Sequence, residues 1–244
     1  RFKRQIASAA KGFDREMIQR AKARLEKMVR DRHIPRIIAD AMHTVFEEDY
    51  CADSVLRLSS YSEQSVVLNR RIWKRLFSES VAIPELAYFE IEKIAAMLLE
   101  KDLLSPASLA YSIMFDPVLR KHILEKLDRV KGCWDLKNLA LRPGKTRGEM
   151  CGNYGTVFFW GIDDFGRRIP LHLETGGLET ATFQGVDDSG NIRKLACTPQ
   201  AIIAEVLENR LLPSLFTCFL VLSFARGLVC IGGYFQGEYL PLMR

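Results

Sequence analysis

Two stretches of seventeen residues decide the fold: VFFWGIDDFGRRIPLHL at residues 157–173 and ATFQGVDDSGNIRKLAC at residues 181–197. Each has an aromatic and β-branched run, then an aspartate-rich turn with glycine, then a second run, which is the pattern of a β-hairpin. The turn Gly161-Ile162-Asp163-Asp164-Phe165-Gly166 recurs 24 residues later as Gly185-Val186-Asp187-Asp188-Ser189-Gly190. These equivalent turns predict two hairpins in one antiparallel sheet of at least four strands.

The sequence before the hairpins has a helical period. Apolar residues recur at intervals of three and four along the first thirty residues, beginning with Phe2, Ile6, Ala9 and Phe13, which indicates an amphipathic helix. Similar patterns, separated by prolines and capping residues, predict about six helices over residues 1–130. We therefore expect an α+β protein, with a helical domain at 1–135 and an α+β domain with a ligand pocket at 136–244.

Residues 211–225 are almost wholly apolar. The pattern predicts a helix that is buried on all sides, and residues 228–233 after it predict a buried strand. Because a bilayer span needs roughly twenty apolar residues, we expect no membrane partner.

The composition is that of an ordinary globular protein, with 48% apolar and 27% charged residues, which excludes a disordered chain. The six cysteines form no CxxC pair, and several lie in apolar runs. This usage is typical of reduced thiols in the cytoplasm. The first residues do not resemble a signal peptide, and we expect both ends of the sequence to be incomplete.

The net charge of +5 is unevenly distributed, since residues 1–36 hold twelve Lys and Arg against four Asp and Glu. A basic surface of this kind can bind nucleic acid or an acidic partner. A solvated helix face explains the same pattern. Nothing in the sequence matches a helix-turn-helix, zinc or RRM signature.

A glycine-rich loop at residues 142–156 is the first candidate for a binding site. Its sequence Pro143-Gly144-Lys145-Thr146 has the end of a phosphate-binding P-loop, but position 139 is Leu where that motif requires Gly. Arg142, Lys145 and Arg147 on a glycine-rich backbone still suit an anion. An interdomain linker with solvated charges is the alternative.

Cys151 and His172 are the second candidate. A thiol between small residues at a loop-to-strand junction is a possible nucleophile if a base lowers its pKa, and His172 is the nearest histidine in the C-terminal half. His172 and Glu174 are two apart on a strand and share a face, so they suit an acid/base pair. A buried cysteine and a surface pair are the alternatives. The remaining histidines lie in the helical half, so we expect no metal and no cofactor.

Arg226 is the third candidate, because it follows fifteen nearly uncharged residues and needs an anionic partner there. That partner is either an acidic residue of this chain or a ligand carboxylate or phosphate. The segment after it contains further candidate binding residues: Gly232, Gly233, Tyr234 and Gln236. We favour the ligand over an internal ion pair with a β-bulge.

Two functional hypotheses follow. The first is an enzyme acting on a small carboxylate- or phosphate-bearing molecule, as a metal-independent transferase or hydrolase, because the pocket-like features are concentrated in the C-terminal half. The second is an interaction protein that binds nucleic acid or an acidic partner through its basic first helix.

Overall fold

The computed structural model describes residues 6–77, 82, 85, 87–130, 133–135, 155–174, 181–229 and 241. Backbone contacts divide the chain into two compact units, Arg1–Glu90 and Ile91–Arg244. Helices form the first unit over the described residues, and helices with two antiparallel sheets form the second, so the predicted α+β class is confirmed. The predicted domain boundary after residue 135 lies inside the second unit.

The first unit begins with a short 3-10 turn and contains four α-helices and one π-helical turn among its described residues. They are Ala7–Ala9 (3-10), Arg15–Arg30 (α1), Arg36–Val45 (α2), Phe46–Tyr50 (π), Asp53–Leu56 (α3) and Tyr61–Arg75 (α4). Helix α1 begins after Asp14, whose carboxylate accepts a hydrogen bond from the Met17 amide at 2.8 Å. This N-cap satisfies one of the amides that have no partner within the helix.

Two buried polar side chains hold the first unit together. Gln64 of α4 is fully buried, and its amide accepts from the Phe13 N–H at 2.7 Å and donates to the Phe13 carbonyl at 2.9 Å. Asp49 is also fully buried, and Arg71 and Arg75 of α4 bind its two oxygens. The bonds of Gln64 hold the segment before α1 against α4. The ion pairs of Asp49 hold the π-helical turn against the same helix.

The second unit alternates helices with short strands. Its helices are Ile91–Leu103 (α5), Leu109–Phe115 (α6), Pro117–Lys126 (α7), Pro199–Leu207 (α8) and Leu215–Phe219 (α9), the last continued by a π-helical turn at Leu220–Phe224. Its strands are Phe159–Ile162 (β1), Arg168–Pro170 (β2), His172–Glu174 (β3), Thr182–Val186 (β4), Ile192–Ala196 (β5) and Leu211–Pro213 (β6). Thr198 and Asp116 cap α8 and α7, each with proline at the first helical position, as the sequence indicates.

The strands form two sheets, with orders β2-β1-β6 and β3-β4-β5. The prediction of one sheet is therefore wrong. The return arm of the first hairpin changes sheets at Leu171, because residues before it pair with β1 and residues after it pair with β4. The buried Thr156 hydroxyl lies 2.5 Å from the Phe159 carbonyl and 2.8 Å from the Leu171 carbonyl, so one side chain contacts both carbonyls near the point where the two ladders separate.

Gly185, which precedes the second turn, lets the two sheets approach closely. A Cβ atom at position 185 would lie 2.5 Å from the Pro170 carbonyl oxygen and 2.8 Å from Leu171 Cδ2. A Cβ atom at position 161 would lie 3.3 Å from Ile169 Cβ, which belongs to its partner strand in the same sheet, and 3.5 Å from Arg193 Cδ of the other sheet. Glycine within a strand thus marks the close approach of another chain segment.

The first turn has the geometry that its sequence predicts. Asp163 Oδ1 accepts hydrogen bonds from the Phe165 and Arg167 amides at 2.9 and 2.8 Å. Gly166 has a φ of 71°, which glycine adopts without steric cost. The Asp163 N–H and the Arg167 carbonyl close the hairpin at 2.9 Å.

The second turn repeats this arrangement. Asp187 Oδ1 accepts from the Ser189 and Asn191 amides, both at 2.8 Å, and Gly190 has a φ of 86°. Arg167 joins the two turns, since its Nη1 lies 3.1 Å from Asp188 Oδ2. The repeated sequence therefore encodes two equivalent turns that lie side by side.

The core of the second unit contains helical and strand residues together. Its buried side chains include Leu99, Leu103, Met114, Phe159, Phe183, Ile202, Phe219 and Leu220. Helices α5 to α7, which the sequence groups with the N-terminal helices, thus pack with the strands.

The apolar segment at 211–225 is buried as predicted but is not one helix. Leu211–Pro213 pairs with β1, and α9 with its π-helical turn follows. Gly227, with a φ of 70°, ends the segment, and its N–H donates to the Ser223 carbonyl at 2.8 Å. Leu228 and Val229 are then exposed and form no strand, so the predicted buried strand is wrong over these two residues. None of the described helices is long and apolar enough to cross a membrane.

Candidate active site on the second sheet

The register of the β3-β4-β5 sheet brings polar residues of three strands onto one face. His172 lies opposite Gln184, and Gln184 lies opposite Lys194. Glu174 and Thr182 form the adjacent row. Directly opposed residues of antiparallel strands project from the same face, and neighbouring strands are about 4.8 Å apart. We call this set, His172, Glu174, Thr182, Gln184 and Lys194, the polar face.

The opposite face of the same sheet is apolar. Phe183 is buried in the core, and Leu173 and Leu195 pack against that core. Because these residues alternate with the polar ones along each strand, the polar side chains point away from the core. The polar face is therefore a consequence of burying Phe183.

His172 and Glu174 are in contact, as the sequence predicts for two residues on one strand face. His172 Nε2 lies 3.3 Å from Glu174 Oε1. The His172 side chain is 15% exposed, whereas that of Glu174 is half exposed. A carboxylate at this position orients the imidazole. The pair has the composition of a general acid/base site.

Gln184 is the neighbour of His172 on the next strand. Its side-chain oxygen is buried and accepts no hydrogen bond from any residue that the structure describes. Buried polar atoms are nearly always hydrogen-bonded, and one without a donor marks a place for water or a ligand. The Gln184 amide therefore provides an acceptor beside the acid/base pair.

Lys194 completes the row on the outer strand and is exposed. It lies on the strand next to Gln184 and away from that of His172, because the cross-strand partners run His172, Gln184, Lys194. A flexible cation at this point suits the carboxylate or phosphate of a bound molecule.

Most other predicted site residues lie outside the described part of the chain. These are Arg142, Lys145, Arg147 and Cys151 of the glycine-rich loop, and Gly232, Gly233, Tyr234 and Gln236 near the C-terminus. Their roles stay predictions.

Arg226 has its anion within the chain, contrary to the ligand partner that we favoured. Its Nη1 and Nη2 donate to the two oxygens of Asp102 at 2.9 and 2.7 Å, and Nη1 also donates to the Val221 carbonyl at 2.8 Å. The hydrogen bonds to Asp102 raise the pKa of the guanidinium. The sequence suggested a ligand because Asp102 is 124 residues away, on a helix whose place beside Arg226 is not apparent from local patterns.

The described cysteines are free thiols: Cys51, Cys133, Cys197 and Cys218. Burial raises the pKa of Cys133 to about 12 and that of Cys197 to about 11. Thiolates are the reactive form, so we expect these two thiols to react slowly at neutral pH. Within the described ranges, no group of three or more His, Cys, Asp or Glu is placed to hold a metal ion.

An apolar cleft of about 640 Å³ lies elsewhere in the second unit, with Leu109, Ile113, Phe216 and Phe224 among its lining residues. Its described lining has no charged side chain. A small anion would lose its hydration there without gaining a partner, so the polar face is the better candidate for an anionic substrate.

No protein-family model, curated protein or solved structure matches the chain. The sequence predicts the contact of His172 with Glu174, but it does not indicate that Gln184 and Lys194 lie in the same row. The alternation of polar and apolar residues along 181–197 predicts that Gln184 and Lys194 point away from the core. It does not predict that Gln184 lies opposite His172, because that depends on the register of the strands.

Proposed function

We propose that this chain is an enzyme that acts on a small carboxylate- or phosphate-bearing molecule, as a metal-independent transferase or hydrolase. The polar face is its proposed active site. The observation that carries the proposal is the contact between His172 and Glu174 beside the buried Gln184 oxygen, which has no donor among the described residues. An acid/base pair next to a buried hydrogen-bond acceptor can transfer a proton and orient a polar substrate.

His172 has the central role in this proposal. It accepts the proton of an attacking water or hydroxyl group and returns that proton to the leaving oxygen. Glu174 holds the imidazole in position through their contact. The transferred group thus moves from the leaving oxygen to the attacking oxygen. His172 has the same protonation state before and after the reaction.

Gln184 and Lys194 have binding roles. The Gln184 oxygen, which accepts no hydrogen bond from the described residues, accepts one from a donor on the substrate. Lys194 attracts the carboxylate or phosphate. Arg142, Lys145 and Arg147 are predicted to add further positive charge, and Cys151 is the predicted nucleophile if the reaction passes through a covalent intermediate.

The first experiment measures binding. Inorganic phosphate and acetate are titrated into the full chain while amide and side-chain NMR signals are recorded. We expect shifts at His172, Gln184 and Lys194, and their loss in Lys194→Ala. Lys101→Ala, which removes an exposed lysine of α5, is the matched control and should bind as the wild type does.

The second experiment measures turnover of carboxylate and phosphate esters. Removing a general acid/base typically costs about 10²–10⁴-fold in rate, so His172→Gln should lose activity by that factor. His122→Gln, which changes an exposed histidine of α7, should not. Equal activity of the His172 and His122 variants, or anion-induced shifts confined to other surfaces, would show that the polar face is not the active site.

A further inference from the structure

Helix α2 of the first unit presents an apolar face that no described residue covers. Ile37 is 76% exposed and Ile38 is 48% exposed, and Met42 is exposed one turn after Ile38. Ala39 is the buried residue of this helix. Exposed apolar side chains that stand next to one another mark an interaction surface, whereas single ones do not.

Cations precede this face in the sequence, at the end of α1 and in the connection to α2. Lys27 and Arg30 are exposed in the last turn of α1, and Arg32 is exposed in the connection to α2 with a φ of 58°. None of the three forms an ion pair with a residue that the structure describes. Arg36, by contrast, donates to both oxygens of Glu26 at 2.9 and 3.0 Å.

The occupant of this surface has to suit both features. A second copy of the chain would cover the isoleucines but would bring the same cations together, which is unfavourable. A nucleic acid would neutralise the cations through its phosphates, but its charged backbone has no apolar surface for Ile37 and Ile38. An anionic bilayer supplies phosphates at its surface and an apolar boundary a few ångströms below.

We propose that the connection between α1 and α2 binds the surface of an anionic membrane. Ile37, Ile38 and Met42 enter the boundary between headgroups and acyl chains, and Lys27, Arg30 and Arg32 contact the lipid phosphates. Helix α2 lies in the plane of the interface. We expected no membrane partner because the apolar segment at 211–225 is too short to span a bilayer. Binding to the membrane surface does not require a spanning segment.

The test is co-sedimentation of the full chain with vesicles of phosphatidylcholine and phosphatidylserine, and with vesicles of phosphatidylcholine alone. We expect binding to the anionic vesicles and weak binding to the neutral ones. Arg30→Glu/Arg32→Glu should weaken binding by at least roughly 30-fold, because each cation near the surface contributes about 1 kcal/mol. Ile37→Ser/Ile38→Ser should abolish stable binding.

Matched controls come from the same unit. Leu76→Ser changes a side chain that is 68% exposed, and Arg70→Glu/Lys74→Glu reverses two exposed cations of α4. These variants should bind as the wild type does, and circular dichroism verifies that every variant is folded.

Three outcomes would overturn the proposal. One is equal binding to neutral and anionic vesicles. Another is binding to duplex DNA that survives Ile37→Ser/Ile38→Ser while vesicle binding does not occur. The last is a dimer in solution that dissociates in the Ile37→Ser/Ile38→Ser variant, which would assign the apolar face to a second copy of the chain.

Discussion

Arg226 and Asp102, 124 residues apart in the sequence, form a two-point ion pair with nitrogen-to-oxygen distances of 2.7 and 2.9 Å. The Asp102 side chain is 12% exposed and that of Arg226 is 34% exposed. The pair joins the residue that follows the apolar segment to the end of α5. A planar guanidinium held at two points is both strong and directional.

Replacing this arginine should therefore reduce stability. Arg226→Ala leaves the mostly buried Asp102 carboxylate without its cation, and we expect a loss of about 2 kcal/mol in the free energy of unfolding, between the values for exposed and fully buried pairs. Chemical denaturation measures this change. Lys101→Ala, next to Asp102 on the same helix, should stay within about 0.5 kcal/mol of the wild type. Unchanged stability of Arg226→Ala together with lost anion binding would restore the ligand role.

Gly185→Ala should be more damaging than Gly161→Ala. The added Cβ atom at 185 would meet the Pro170 carbonyl oxygen at 2.5 Å, whereas the one at 161 would meet Ile169 Cβ at 3.3 Å. We expect a loss of about 2–3 kcal/mol for the first variant and less than about 1 kcal/mol for the second. The two glycines hold the same position of the repeated turn sequence, so each variant is the control of the other. Equal losses, measured by urea unfolding, would contradict the close approach of the sheets at Gly185.

Asp187 should make stability depend on pH in the acid range. Burial raises the pKa of its carboxyl, but hydrogen bonds from Asn191, Ser189 and Gly190 outweigh this and hold the pKa below its ordinary value of 3.8. A carboxyl with a lowered pKa in the folded state stabilises the protein above its unfolded pKa, and this contribution is lost as the pH falls through the folded pKa.

Asp187→Asn should therefore be less stable than the wild type at neutral pH, with the difference shrinking below about pH 4. Unfolding curves measured from pH 7 downward test this. Asp164→Asn changes an exposed aspartate of the other turn. The difference between its free energy of unfolding and that of the wild type should be the same at every pH. A constant difference between Asp187→Asn and the wild type at every pH would mean that the charge of Asp187 does not contribute.

All six cysteines should titrate as free thiols in the denatured chain without reductant. In the native protein, Cys133 and Cys197 should react slowly with a thiol reagent at neutral pH, because burial raises their pKa values to about 12 and 11. Comparison of native and denatured reaction rates measures this. Fewer than six thiols would overturn the prediction of reduced cysteines and remove the support that it gives to a cytoplasmic location.

The sequence by itself determined the local features of this protein. The turns at Asp163 and Asp187 follow from an aspartate that binds amides two and four residues later and from a glycine at positive φ. The caps at Asp116 and Thr198 are similarly local. The pairing of His172 with Glu174 needed only the two-residue period of a strand. Each of these interactions lies within a few residues, where neighbouring side chains decide the conformation.

Tertiary structure alone decided the long-range features. The division into two sheets depends on Leu171, because the chain after this residue pairs with β4 instead of β1. It also depends on Gly185, because only a residue without a Cβ atom leaves room for the Pro170 carbonyl. The anion of Arg226 comes from Asp102, because packing brings α5 beside the end of the apolar segment. Strand register likewise places Gln184 beside His172. In each case the partner depends on which helix and strand faces are buried in the core. Residues that are close in sequence do not determine that packing.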